Sequence, residues 1–387
     1  MNNSRGLAAV CPELSDRFLS LRDPPEADES VNDERRSYIA LLECFNLLCN
    51  LNKRDASRAG QLIAGLWNSP FGRKFCEMTK ALSHWSSGET TAARTCFQGH
   101  LQEHDSDFVA VFMLHMFDFL HGRPNLYGEY LQPGDLCLDP EFGGYYQGIL
   151  AFAQCEQGLA DRGLAHAEKA CAINIGDVYA VHALVHCYHA MGKHAETIRF
   201  LSENLPHWKA NPGMNIHVYW HLALSYLEMG QLQEALDAYR AFWSLRDGDE
   251  AEQDLDAANF CLRVSLHDPS HSPLEGYHGQ LAKNWAPSID NSLSYFNDAH
   301  AAIAFLLSGN DGLMEKLLSK PSMTHLDRKT NETGVYIIQA IGHFMNKHYT
   351  ACARLLTKTR STWHLIGGSI PQREILELIL NASVVKI

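Results

Sequence analysis

Two short stretches of the chain carry histidines at helical spacing. In VHALVHCYHAMG (181–192), His182, His186 and His189 fall on one stripe of a helix, and IHVYWHLALSYLEMG (216–230) repeats the i, i+4 step with His217 and His221. That residue type at that spacing admits three kinds of chemistry. Neutral imidazoles one turn apart on adjacent antiparallel helices can converge on a tetrahedral ion. A histidine desolvated by aromatic neighbours disfavours its charged form and titrates near or below neutrality, where proton transfer is efficient. Inward histidines can also bond to one another and to backbone carbonyls as a packing device, since buried polar groups are normally paired. No carboxylate stands at the spacing of a zinc-protease helix, so HxxxH by itself leaves the three open.

Further along, FNDAHAAIAFLLSG supplies Asp298 and His300, which are two residues apart and cannot share one helix face. Asp298 reads as a buried carboxylate that orients a neighbouring histidine or Arg373. IGGSIPQREI supplies Ser369, Gln372 and Arg373. The stretch lacks the G-x-S-x-G of a nucleophile elbow, so Ser369 reads as a helix N-cap with Pro371 in the first turn. Arg373 can hold a carboxylate in a fork. Glu228 reads as solvent-facing or bridging repeats. No phosphate-cradling loop, dinucleotide fingerprint or calcium loop occurs.

The elements that must position these residues belong to a chain of 387 residues, 46% of them hydrophobic, with a formal net charge of -13. A chain of that length buries one large core or several linked ones. The negative balance argues against a nucleic-acid surface or an anionic membrane patch, both of which need clustered Lys and Arg. No apolar run reaches membrane-spanning length, and the N-terminus has too short an apolar stretch for a secretory signal. The expectation is a soluble, cytoplasmic protein. The eleven cysteines include no CxxC, and Cys44, Cys155, Cys171, Cys187 and Cys261 sit among apolar helical neighbours, as reduced core thiols do.

A period organises the rest. Gly88, Gly122, Gly158, Gly192 and Gly230 each follow an apolar helical stretch at intervals of 34, 36, 34 and 38 residues, and Gly309 and Asn346 continue the series 37 apart. The gap of 79 residues between Gly230 and Gly309 leaves room for one more unit. The period is that of the tetratricopeptide repeat, a helix–turn–helix in which small residues let paired helices approach. Its best copy is 216–245, where Tyr219, Leu222, Ala223, Tyr226, Leu232, Ala235 and Tyr239 fall at packing positions. Proline and glycine clusters at 121–135, 207–215 and 267–276 mark joints. The expected fold is therefore all-α, a right-handed tetratricopeptide-like superhelix of about eight hairpins. Residues 36–387 form one repeat domain in this reading, closed at one end by its C-terminal helices (333–385) and with the DERRS segment and the last helix as candidate polar caps, and the polar, acidic stretch 1–35 is loosely attached.

From about residue 38 onward the chain resembles the tetratricopeptide repeat protein 38-like family. AVHALVHCYHAMGKHAE is similar to that family's A-x-H-A-x-A-H-x-x-E-x-x-G pattern, with His189 where an acid is usual. IHVYWHLALSYLEMG is similar to H-N-W-W-H-L-A-L-x-x-L-E, with Val218 in place of Asn. FNDAHA resembles F-x-D-x-H-A, and IGGSIPQRE resembles I-G-G-S-H-A-Q-R-D with Ile370 and Pro371 replacing His and Ala.

The resemblance implies that particular positions of each first helix line an inner, concave face. It assigns to that face His182, His186, His189, His217, Trp220, Tyr145, Phe152 and Phe296, with His221 and His300 beside it. A groove of aromatic rings and neutral histidines suits a small organic ligand better than a charged peptide tail, for which Lys, Arg and Asn are the usual lining. The expected function is thus a small-molecule pocket, with histidine acid–base chemistry as its reaction. The alternatives are a scaffold binding a protein or peptide in the groove, and a hydrolase with a metal held by His182, His186, His217 and His221. No cofactor is expected under the first reading, and zinc under the last. The candidate catalytic residues are His182, His186, His217, His221, Asp298 and His300. The candidate ligand contacts are Tyr145, Phe152, Trp220, Phe296, Ser369, Gln372 and Arg373. Asp298, His300 and Arg373 are expected to approach the four histidines, with Trp220 as a wall.

Overall fold

A computed structural model describes residues 6–22, 32–246, 251–267 and 273–387. Among these residues the secondary structure is helical, with no strand beyond an isolated bridge between Asn52 and Ser292. No described helix is long and apolar enough to cross a membrane. The chain divides into two compact units. The first runs to Val218, apart from 51–53 and 120–123. The second holds those two short stretches and everything from Tyr219 onward.

The first unit contains α1 (Pro12–Leu19), α2 (Asp33–Cys49), α3 (Lys53–Asn68, begun at the edge of the other unit), α4 (Pro70–Lys74), α5 (Cys76–Ser86), α6 (Thr90–Glu103), α7 (Phe108–Leu120), α8 (Gly143–Glu156), α9 (Ala160–Ile173), α10 (Val178–Ala190), α11 (His194–Glu203) and α12 (Leu205–Lys209). Then comes α13 (Asn215–Glu228), an unbroken helix inside which the division falls. The second unit continues with α14 (Leu232–Trp243), α15 (Leu255–His267), α16 (Glu275–Trp285), α17 (Ser288–Asn291), α18 (Tyr295–Ser308), α19 (Asp311–Leu318), α20 (Arg328–Met345), α21 (Tyr349–Thr359) and α22 (Ile370–Val385).

The turns follow the glycine series. Gly88, Gly122, Gly158, Gly192, Gly230 and Gly309 all adopt positive φ, between 64° and 78°, just past a helix end. Only glycine occupies that region without a Cβ penalty, which is why the sequence places it there. Two departures from the expected series have local causes. After α20 the left-handed residue is Lys347 at φ 59°, not Asn346, which keeps φ -83°. After Gly122 no second α-helix forms: Pro124–Glu129 and Asp135–Leu138 are short 3-10 turns, because Pro124, Pro133 and Gly134 deny the backbone a longer helix. The extra unit between Gly230 and Gly309 is the pair α15 and α16, of which 268–272, part of the expected 267–276 joint, lie outside the described residues.

The stretch expected to be loosely attached falls partly outside the described residues, at 1–5 and 23–31. Of its described residues, 32–35 lead into α2 and 6–22 are packed. Leu7, Leu14, Phe18 and Leu19 are buried, the Leu7 N–H donates to Asp107 Oδ2 at 2.6 Å, and Asn211 Nδ2 donates to the Ser20 carbonyl at 2.7 Å. The apolar spacing of Leu14, Phe18 and Leu19 outweighs the polar composition around it. In the first unit α8, α9 and α10 pack on one another, and in the second α18 lies against α15, α16 and α20. The five cysteines singled out above are all buried free thiols.

Candidate metal centre

The histidines of the first stretch are set by α10, whose N-terminus is capped by Asp177: its carboxylate accepts the Tyr179 and Ala180 N–H groups at 3.1 Å each. His182 and His186 then stand one turn apart, 5% and 1% exposed. Their ring centroids are 4.2 Å apart with planes at 75°. His217 and His221 repeat that step on α13, where His221 is 1% exposed and His217 is half-buried. The two pairs meet. His182 Nε2 lies 3.0 Å from His217 Nε2, and one ring nitrogen from each of the four histidines lies within 4.8 Å of the others.

The floor of the group comes from α8. Phe152 stacks on His182 at 5.2 Å and 26° and presents its ring edge-on to His186 at 4.9 Å. One turn on, Glu156 places Oε1 3.7 Å from His186 Nδ1, with its side chain only 2% exposed. Behind His182, the fully buried His115 shares a 2.6 Å hydrogen bond between its Nε2 and the Tyr179 hydroxyl.

Burial dominates the electrostatics. It holds the His182 imidazole well below its ordinary titration range, with His186, His217 and His115 adding to the effect. Burial alone lowers His115 to about 3. Both rings are neutral at physiological pH, each offering one nitrogen lone pair, which is the state that ligates a metal. A tetrahedral zinc with bonds of about 2.0–2.1 Å needs its donors roughly 3.3 Å apart, within the span these four cover.

The other expected site residues fall into different surroundings. Phe152 belongs to the histidine group, and Trp220, fully buried, lies against His221 with ring centroids 4.7 Å apart. Tyr145 lies on the same face of α8 as Phe152 but two turns nearer the helix N-terminus, where its hydroxyl donates to Asp16 Oδ1 of α1 at 2.5 Å. His189 neighbours His194 at 5.3 Å and is not one of the four converging histidines.

Asp298 is fully buried and paired with Lys320, whose Nζ donates to both carboxylate oxygens at 2.9 and 3.0 Å. Burial raises the Asp298 pKa and Lys320 pulls it back in part. His300 donates Nδ1–H to the Phe296 carbonyl at 2.8 Å and packs on the rings of Phe296 and Trp285. Ser369 caps α22 in a reciprocal box with Gln372, as expected of an N-cap. Gln372 Nε2 also donates to Asp256 at 3.1 Å, and Arg373 turns back to donate to the Gly368 carbonyl.

Glu156, His115 and Tyr179 were not among the expected residues. The visible signals were a lone acid at the end of the apolar run of α8, one turn from Phe152, and a lone histidine inside VFMLHMF. A charged or titratable residue within an apolar helix is expected to have a partner, although periodicity does not say which. No protein-family model matches the chain.

Proposed function

We propose that this chain is a tetratricopeptide-like metalloprotein that holds a divalent transition-metal ion, zinc first, through His182, His186, His217 and His221. The observation that carries the reading is the convergence of four ring nitrogens within 4.8 Å. Four imidazole nitrogens suit zinc, copper or nickel and suit magnesium or calcium poorly, because those hard cations want oxygen ligands. Glu156 supports the same reading: its carboxylate lies 3.7 Å from His186 Nδ1, beyond hydrogen-bond length but close enough that a small shift on metal binding would let it orient the ring and raise its basicity. The left-handed glycines at near-34-residue spacing support the tetratricopeptide-like arrangement.

Histidine acid–base catalysis without a metal is the weaker alternative. His182 and His115 are held neutral, so neither is an imidazolium able to serve as the general acid near pH 7. Four protein ligands make a closed coordination sphere, of the kind found in structural zinc sites. His217 is the half-buried member, and in this reading it is the ligand that can leave to admit water and a small organic substrate for hydrolysis.

The test is metal content by mass spectrometry on purified protein, followed by X-ray absorption of the zinc-loaded form. The expected result is one ion per chain with nitrogen scatterers at about 2.0–2.1 Å. A protein that neither retains metal nor takes up added zinc, copper or nickel would overturn the reading.

A further inference from the structure

A second feature of the first unit is a cavity of about 460 Å³, bounded by the last two turns of α8, the first turns of α9 and the chain from Tyr127 to Pro133. Its size falls within the range of small-ligand sites, about 300–1,000 Å³. Leu131, Leu150 and Leu159 give it apolar walls.

Three polar groups on that lining lack protein partners among the described residues. Gln154 is 8% exposed, and its Oε1 is buried without a hydrogen bond. His166 Nδ1 is likewise buried and unbonded. At the mouth, the exposed Arg162 guanidinium is engaged by no described carboxylate. Buried polar groups in folded proteins are nearly always paired, so an unpaired amide and imidazole nitrogen in one concave site mark places where a ligand supplies the partner. Burial and the nearby Lys169 hold His166 toward its neutral form. Arg162 is therefore the cation that an anionic ligand meets.

We propose that this cavity binds a small organic carboxylate carrying an O–H or N–H donor, with the carboxylate on the Arg162 guanidinium and the donor on the Gln154 amide. A planar carboxylate fits the guanidinium fork, and the apolar walls take the hydrocarbon body between the two polar ends. The site is independent of the histidine centre, and neither reading requires the other.

Three probes test it by saturation-transfer NMR and titration calorimetry: 4-hydroxyphenylacetate, its amide, and phenylacetate. The hydroxy acid should bind saturably. Removing the charge, either in the ligand as the amide or in the protein as Arg162→Ala, should weaken binding by roughly tenfold or more. Phenylacetate, which lacks the donor, should bind more weakly than the hydroxy acid, and Gln154→Leu should erase that difference. Arg162 is exposed, so its variant keeps the fold, and the comparison among ligands needs no variant. The proposal is overturned if no probe binds saturably, or if acid and amide bind equally to the wild-type protein.

Discussion

His182 Nε2 and His217 Nε2 stand 3.0 Å apart, one on α10 and the other on α13. Two imidazole lone pairs do not face each other at that distance unless a proton or a cation lies between them. In the metal-free protein one of the two rings must therefore carry its proton on Nε2, and metal binding must move that proton elsewhere.

Zinc should raise the thermal stability of the protein, and His217→Ala should reduce the rise. At a free zinc concentration a hundred times the dissociation constant, the gain is about 2.7 kcal/mol. His217 is half-buried but bonds the buried His182 nitrogen, so its replacement should cost about 1–3 kcal/mol without metal. His186→Ala removes a ring that is 1% exposed and should also cost about 1–3 kcal/mol without metal. Calorimetric melting with and without zinc measures both. An equal zinc-induced gain in wild type and His217→Ala would remove His217 from the centre.

Glu156→Gln should weaken zinc affinity by roughly ten- to a hundredfold while leaving the number of nitrogen ligands unchanged. Competition with a chelating dye reads the affinity, and X-ray absorption reads the ligand count. An unchanged affinity would mean that the 3.7 Å approach to His186 has no part in metal binding.

Stability should fall as pH drops from about 7 to 5, because His182 and His115 titrate in the folded protein below the ordinary value of 6.5. A base with a depressed folded pKa contributes stability that is present above 6.5 and is lost as pH falls toward the folded value, about 3 for His115. Between those limits each such histidine contributes a slope of about 1.4 kcal/mol per pH unit. Urea unfolding at about pH 7, 6 and 5 measures the slope, which His115→Gln should reduce. A steeper or unchanged slope in that variant would contradict the assignment to His115.

Lys320→Met should destabilise the second unit by about 3–5 kcal/mol, because it leaves the fully buried Asp298 carboxylate without its cation. Adding Asp298→Asn should restore most of that loss. If the double variant is no more stable than the single one, the pair is not what sets the cost.

Much of the helical architecture was legible because its causes are local. A glycine past a helix end declares a left-handed turn from its own φ preference, and Gly88, Gly158, Gly192, Gly230 and Gly309 all adopt that conformation. Histidines four apart declare a shared face, so the pairs His182–His186 and His217–His221 could be drawn from spacing alone. The N-cap at Ser369 was readable for the same reason, since its partner Gln372 is three residues away. The proline and glycine cluster at 121–135 was readable as a joint in the same way, and no α-helix forms there. The turn after α20 was misread, because Lys347 took a left-handed φ that composition does not advertise.

Partners distant in the chain needed the tertiary structure. Spacing names the face on which a residue sits, but not the depth, rotation or neighbour of that face once helices pack. Asp298 was expected to orient a histidine or Arg373 and instead pairs with Lys320, 22 residues on. Tyr145 was assigned to a groove with the histidines, and it shares the face of α8 that carries Phe152, yet two turns nearer the helix start that face meets Asp16, 129 residues away. Phe152 and Glu156, one turn apart on the same helix, reach His182 and His186. A helix has one periodicity but packs against several neighbours, so the sequence determined which residues travel together, and only the packing of α8 and α10 and the approach of α13 decided whom they meet.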